Sequence, residues 1–350
     1  MSFALICVVS LLLAAWSFLR RRRLTAAAAR EGAFASPASR PNLAQLGLNP
    51  LGQRLVACNA VALVVGILFF SSTGLAIDWS TAWLGPVLLA AILIVWLNFY
   101  FVPGSLKERF VAEALFVTFL MVLLTNVLVP MQYGALAMGA PYADPWLAAA
   151  DAAMGVHVPT VVAWIWAHPM AVQLTNLTYA TFAPQLLLGI LGLVVLRERE
   201  RLWEFAFHFH LCLILTIAAL AIWPAVCVSD YYGFKPTVDM TRTVAQIKGF
   251  HDGSMTVVRF NDLDGLVSFP SFHVVGTMLV TWAFRDRRRV FIPLIVLNIG
   301  LAITTVTTGE HYAIDMFGAV PLMAGSLAAY RWWGQPLLAA DAVVPQSKAA

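Results

Sequence analysis

The sequence predicts an all-α integral membrane protein with about nine transmembrane helices. Three observations lead there. Hydrophobic residues fill 61% of the 350 positions and charged residues only 11%, with a mean hydropathy of +0.80. A soluble domain carries about 25% charged residues, because its surface must face water. The apolar residues gather into runs close to the roughly 20 residues that a helix needs to cross the hydrocarbon core. Short basic clusters recur at every second connection between those runs, which is how helices are oriented in a bilayer.

The runs fall near 2–19, 55–77, 81–103, 111–139, 170–196, 204–228, 268–284, 290–308 and 312–330. No basic residue precedes the first run, and Arg20, Arg21, Arg22 and Arg23 follow it, the reverse of a cleaved signal peptide. Residues 1–23 therefore read as a retained membrane anchor with its N-terminus outside. Residues 24–54, rich in Ala, Pro, Gly and Arg, read as a cytoplasmic linker, and 55–104 as two accessory transmembrane helices. The next connection holds only Asp78; Lys107 and Arg109 then mark the inner side. Residues 140–169 contain Asp144 and Asp151 but no Lys or Arg, and within them 146–168 read as a helix lying in the outer interface. Arg197, Arg199 and Arg201 return to the inner side, as do Arg285, Arg287, Arg288 and Arg289. The C-terminus then lies in the cytoplasm beyond Arg331, with 332–350 as a disordered tail. The outer loop 229–267 breaks the pattern with Lys235, Arg242, Lys248 and Arg259, and long loops obey the charge rule weakly.

The net charge of +4 is dispersed through short inter-helix clusters, which argues against nucleic acid as a partner. Cys7, Cys58, Cys212 and Cys227 have no paired spacing and read as free thiols, giving neither a disulfide framework nor a zinc site.

Two segments hold polar residues that a purely structural membrane helix tolerates at high cost. One is Ser268-Phe269-Pro270-Ser271-Phe272-His273, which opens a span; the other is TTVTTGEHYAID, Thr304 through Asp315. The arginine pattern puts both on the outer side. His311 and Asp315 are four apart, so on a helix they share a face and meet. A carboxylate on one ring nitrogen fixes the tautomer and makes the other nitrogen a better nucleophile. A second histidine, His273, can then protonate a departing oxygen and later activate an acceptor. Ser271 at a helix start suits an anion contact, and Gly309 permits close backbone approach. Lys235 is the first candidate for a cationic phosphate contact, ahead of Arg242 and Arg259.

Each of these has a blander reading: an interfacial histidine at 273, or a structural pair at 311 and 315. A metal site from His273, His311 and Asp315 is conceivable on ligand type alone. His208 and His210 point to different helix faces and read as packing or interfacial groups, and Glu113 as a snorkelling acid.

FPSFH and GEHYAID, separated by one short pair of spans, resemble the second and third signature motifs of the type-2 phosphatidic acid phosphatase superfamily. More narrowly they resemble its inositolphosphotransferase-like branch, which includes inositol phosphorylceramide synthases. The likeness extends to LTYATFAPQ (177–185) and AIWPAVCVSDYYG (221–233). It implies a six-helix catalytic core over 110–331 plus three N-terminal helices, with His311 as nucleophile, Asp315 as its orienter and His273 as acid and base. It also implies Ser271 and Gly309 at the phosphate, and neither metal nor cofactor. The chain departs from the superfamily in having Thr304 and Thr305 where Ser-Arg is usual, and in lacking the first motif, of which Lys235-Pro236 is a remnant.

The expected function is phosphoryl transfer from lipid phosphates or phosphodiesters through a phosphohistidine. The partners are membrane lipids and a polyol or lipid-alcohol acceptor, or water in a phosphatase. The competing class is a transporter or non-catalytic lipid-binding protein using His311 and Asp315 as a proton relay, but the chain has no internal repeat of the transporter kind.

Overall fold

The computed structural model describes residues 49–101 and 106–338. The expected N-terminal anchor, nearly all of the linker and the end of the tail lie outside the described residues. Among the described residues, five helices are long and apolar enough to cross a membrane, or seven if each of two bent pairs is one span. The chain is an all-α integral membrane protein, and the count of nine is not reached within the described part.

Helix α1 (Pro50–Ser72) starts inside the expected linker because Asn49 and Pro50 make a helix start. The Asn49 side chain accepts the Gly52 N–H at 2.7 Å, and Pro50 occupies the first turn, where a missing N–H costs nothing. α2 (Leu84–Phe101) and α3 (Leu106–Ala137) follow. α3 packs against both of them and against α8 (Arg199–Ile222), with Val117, Leu120, Leu124 and Leu128 in the shared core. Glu113 does not snorkel: its carboxylate takes Arg199 Nε at 2.6 Å and the Trp203 indole at 3.2 Å.

The expected interfacial helix is two helices, α4 (Asp144–Ala153) and α5 (Val158–Trp166), meeting at 80° around Gly155. The run 170–196 is likewise broken into α6 (Pro169–Ala180) and α7 (Phe182–Leu196), bent by 43°. Pro184 is the physical reason: it has no N–H, and its ring clashes with the carbonyl four residues back, that of Ala180. α8 stops at Ile222, ahead of Pro224, instead of running to 228. The loop 229–267 contains α9 (Val228–Tyr232) at its start, α10 (Thr241–His251) and strand β2 (Val257–Arg259). β2 pairs in parallel with β1 (Ala76–Asp78), tying this loop to the α1–α2 connection.

The last three helices carry the motifs. α11 (Phe272–Ala283) has 12 residues, about 18 Å at 1.5 Å per residue, and falls short of the roughly 30 Å hydrocarbon core. α12 (Arg288–Thr307) and α13 (Ala313–Ala329) pack beside it. The helix continues past α13 through a π-turn to Leu338, so residues 332–338 of the expected tail are helical. His208 and His210 are buried packing groups. The His208 ring meets Ser326 Oγ at 2.7 Å, and His210 meets Asn59 at 2.9 Å and the Ala206 carbonyl at 2.7 Å.

Candidate active site

The turn between α12 and α13 is built on Gly309, whose φ of +85° reverses the chain after α12. A Cβ there would lie 2.9 Å from the Phe234 ring and 3.2 Å from Pro236. Glycine therefore lets the turn sit against the loop after α9. Glu310, His311 and Tyr312 follow, and Asp315 lies in the first turn of α13.

One oxygen of Asp315 gathers three donors. Oδ2 accepts Ser268 Oγ at 2.7 Å, the Tyr312 N–H at 3.0 Å and His311 Nδ1 at 3.1 Å. Asp315 is wholly buried, and His311 is 3% exposed, so the pair is shielded from bulk water. With Nδ1 donating to the carboxylate, His311 Nε2 is left without a proton, and the Ser271 hydroxyl lies 3.4 Å from it. Burial disfavours the imidazolium, but the Asp315 hydrogen bond and charge, aided by Glu310, outweigh it and raise the His311 pKa.

Two further carboxylates hold this turn from outside the motif. Asp151, in α4, accepts the Ala313 N–H at 2.9 Å and the Ile314 N–H at 2.8 Å, capping α13 with a full negative charge. Asp144 accepts the Tyr312 hydroxyl and the Val226 N–H, each at 2.9 Å. Sequence reasoning gave neither a role. Their signal was two acids in a connection with no Lys or Arg to pair with.

His273 stands at the first turn of α11, where Ser271 is the N-cap. Its ring centroid is 5.7 Å from that of His311. The Tyr179 hydroxyl lies 2.9 Å from His273 Nε2 and donates to Glu310 Oε2. Tyr179 lies within LTYATFAPQ, and its contact with both groups was invisible in sequence, 94 residues before His273 and 131 before Glu310. Burial raises the Glu310 pKa, with the His311 charge and the Tyr179 hydrogen bond opposing it.

Both histidines, Glu310, Tyr179 and Ser268 line a cavity of about 490 Å³ that runs between α3, α7, α8 and α11 past Phe182, Leu186, Phe209 and Leu213. Its lining combines the histidines and Glu310 with a larger number of apolar side chains, as a lipid with a charged headgroup needs. Asp264 and Glu310 line it; among the described residues no Lys or Arg does. Thr304 and Thr305, where a Ser-Arg pair is usual, turn their hydroxyls onto the carbonyls of Leu301 and Ala302, each at 2.7 Å. Lys235 is not brought to the histidines. It lines an adjoining cavity of about 690 Å³, with its ammonium 5.2 Å from the Trp166 ring centre. Arg242 and Arg259 pair with Asp264 at 3.1 Å and Asp78 at 3.7 Å.

His273, Glu310 and His311 offer ligand atoms within 4.8 Å of one another, a set that could hold a metal ion. Glu310 thus takes the place in that set that the sequence offered to Asp315, whose Oδ2 is occupied by its three donors.

A family model described as the PAP2 superfamily matches residues 145–329. The chain belongs to the PAP2 superfamily. Comparison with curated proteins and with solved structures gives no match. The PAP2 match begins in α4 and ends with α13, so it spans Asp151, Tyr179, His273, Glu310, His311 and Asp315, and leaves α1 to α3 ahead of it. Membership supports phosphoryl transfer on lipid-type substrates, members being typically phosphatases.

Proposed function

We propose that this chain is a metal-independent enzyme that transfers phosphoryl groups of lipid phosphates or phosphodiesters through a phosphohistidine on His311. The observation that carries the reading is His311 Nδ1 fixed on buried Asp315, with Nε2 turned toward His273 in an amphipathic cavity. His311 Nε2 attacks phosphorus; the N–P bond forms as the bond to the lipid oxygen breaks, and His273 gives that oxygen a proton. In the second half His273 takes a proton from the acceptor hydroxyl, whose oxygen bonds phosphorus while the N–P bond breaks. Asp315 stabilises the positive charge on His311 in both halves without itself taking a proton.

The equatorial oxygens face the Ser271 hydroxyl and the free N–H groups at the start of α11. Gly309 keeps the turn close behind them. Lys235 meets the anionic headgroup from the adjoining cavity rather than the reacting phosphorus. A phosphodiester carries one negative charge and a monoester up to about two. A pocket with Glu310 beside the nucleophile, and with no Lys or Arg among the described residues of its lining, favours the diester. It also favours a hydroxyl-bearing acceptor, which supports the inositolphosphotransferase-like branch over a simple phosphatase. The arginine distribution supports an extracytoplasmic site and a cytoplasmic C-terminus.

The test is incubation of the purified chain with phosphatidic acid or phosphatidylinositol, with and without inositol or diacylglycerol, read by mass spectrometry. Free phosphate identifies a phosphatase, and an exchanged headgroup a transferase. His311→Ala is expected to abolish both while remaining folded, and excess chelator is expected to leave both intact. Full activity in His311→Ala ends this reading.

A further inference from the structure

His311 is oriented by a carboxylate that touches it; no carboxylate is hydrogen-bonded to His273. A histidine that must be a cation in one step and neutral in the next needs a group that fixes its ring and favours its charged form. Glu310 raises the complementary question. It lies next to the nucleophile in a largely buried position, and among the described residues no Lys or Arg pairs with it. An anion there repels a phosphate, and a buried charge without a partner is costly. Tyr179 joins the two, because its hydroxyl donates to Glu310 and lies within hydrogen-bond distance of His273 Nε2.

We propose that Glu310 and Tyr179 are positioning residues that hold His273 for acid–base work, Glu310 acting on the ring through the tyrosine hydroxyl. The proposal rests on the phosphohistidine reading and extends it to the second histidine. With Tyr179 donating to Glu310, its oxygen accepts the Nε2 proton of His273. Nδ1, at 3.4 Å the more distant of the two ring nitrogens from that hydroxyl, then carries the proton that moves. As the bond from phosphorus to the leaving oxygen breaks, the Nδ1 proton goes to that oxygen. In the return half Nδ1 takes the acceptor's proton as the new oxygen–phosphorus bond forms. Nothing is transferred along the tyrosine; the carboxylate supplies charge and the phenol supplies direction.

The site then has two histidines of opposite duty, each with a carboxylate. Asp315 is in direct contact with the base-like nucleophile, and Glu310 is one hydroxyl removed from the acid. The titratable groups facing His273 are Tyr179 from α6 and Glu310 and His311 from the α12–α13 turn, with Asp264 and Cys227 lining the same cavity. Burial and the His311 charge oppose a cation on His273, and in this proposal the Glu310 carboxylate, one hydroxyl away, offsets them. The Tyr179 hydroxyl, by donating to the Glu310 carboxylate, stabilises its anion.

The test uses the full chain in detergent with two substrates. Phosphatidic acid releases diacylglycerol, a basic alkoxide that needs a proton; p-nitrophenyl phosphate releases p-nitrophenolate, a stable anion that does not. Glu310→Gln and Tyr179→Phe are each expected to lower kcat/KM, which reports only the half that expels the leaving group, about 10- to 100-fold on phosphatidic acid and only a few-fold on p-nitrophenyl phosphate. Removing the Glu310 charge lowers the His273 pKa, so the high-pH limb, where the acid is lost, moves down by about one pH unit. Histidine-selective nitrogen NMR supplies a readout that needs no turnover: His273 carries its proton on Nε2, and its titration midpoint falls in Glu310→Gln. Equal losses on both substrates, or an unmoved limb and unmoved His273 nitrogens, overturn the proposal. His311→Ala separates the two ideas. If that variant retains activity the phosphohistidine reading fails; if it is dead while Glu310→Gln behaves as wild type, the relay alone fails.

Discussion

The two ends of the helix bundle treat buried acids in opposite ways. At the end away from the histidines, Glu204 has a side chain only 5% exposed and is neutralised by cations. Arg201 approaches it at 2.7 Å, Arg285 reaches both its oxygens at 2.8 Å, and the Trp282 indole adds a bond at 3.0 Å. Glu198 with Arg287 and Glu113 with Arg199 continue the theme. At the histidine end, Asp144, Asp151 and Asp315 are equally buried, yet their donors are backbone N–H groups, hydroxyls and one imidazole. An arginine neutralises a carboxylate and fixes helices together. An N–H or imidazole leaves the negative charge available to a neighbour, and that is what a site needs to tune a histidine. One end is a fastening and the other retains usable charge.

Single substitutions break the comparison at either end. The largest effect is expected at Asp315→Asn, which keeps the shape but removes the charge and offers the wrong tautomer to His311. By analogy with the serine-protease carboxylate, turnover falls by up to about 10⁴-fold with stability little changed, read from kcat against a thermal melt. The residual activity carries a sign. His311 must be neutral to attack, and Asp315 raises its pKa, so the low-pH limb of the wild type lies above the ordinary histidine value. Asp315→Asn moves that limb to lower pH.

Glu204→Gln is the counterpart at the other end. It strands Arg285 and leaves Arg201 with Asp286 alone, and is expected to cost about 3 kcal/mol of stability, while activity per folded molecule stays at the wild-type level. Loss of turnover without loss of stability there would erase the distinction between the ends.

Asp151→Ala falls between these extremes. It removes the cap of α13 and is expected to cost about 1–2 kcal/mol, with a roughly 10-fold loss of turnover because the His311 turn loosens. The smallest effect is expected at Arg259→Ala. Its partner Asp78 is 3.7 Å away and both side chains are solvated, so melting shifts by less than about 1 kcal/mol.

The residues in direct charge of chemistry were legible because they are local. His311 and Asp315 are four residues apart, although His311 sits in the turn ahead of α13 rather than on the helix face that the spacing predicts, and FPSFH carries both the cap and the histidine. The supporting residues were not legible. Asp144, Asp151 and Tyr179 lie 168, 162 and 131 residues from the groups they hold in the motif turn. Their types are ordinary in an outer connection or a helix end. Lys235 misled for a related reason: it follows a span closely in sequence, yet its stem turns toward Trp166 and the adjoining cavity. The helix breaks were half legible. Pro184 and Pro224 are plain in the sequence, but an apolar run of 27 residues hides a bend when only hydropathy is read.

By itself, then, the sequence determined the membrane class, through a charge content too low for water, and the nearness of His311 and Asp315, through a spacing of four residues, while the turn that joins them ahead of α13 is not the shared helix face that the spacing predicts. Tertiary structure alone decided which acids are silenced by arginine and which keep a usable charge. It also decided that Glu310 and His273 meet at the Tyr179 hydroxyl, and that no described Lys or Arg lines the cavity beside them. Those are properties of what meets across helices, and a buried carboxylate takes its behaviour from its partner rather than from its place in the chain.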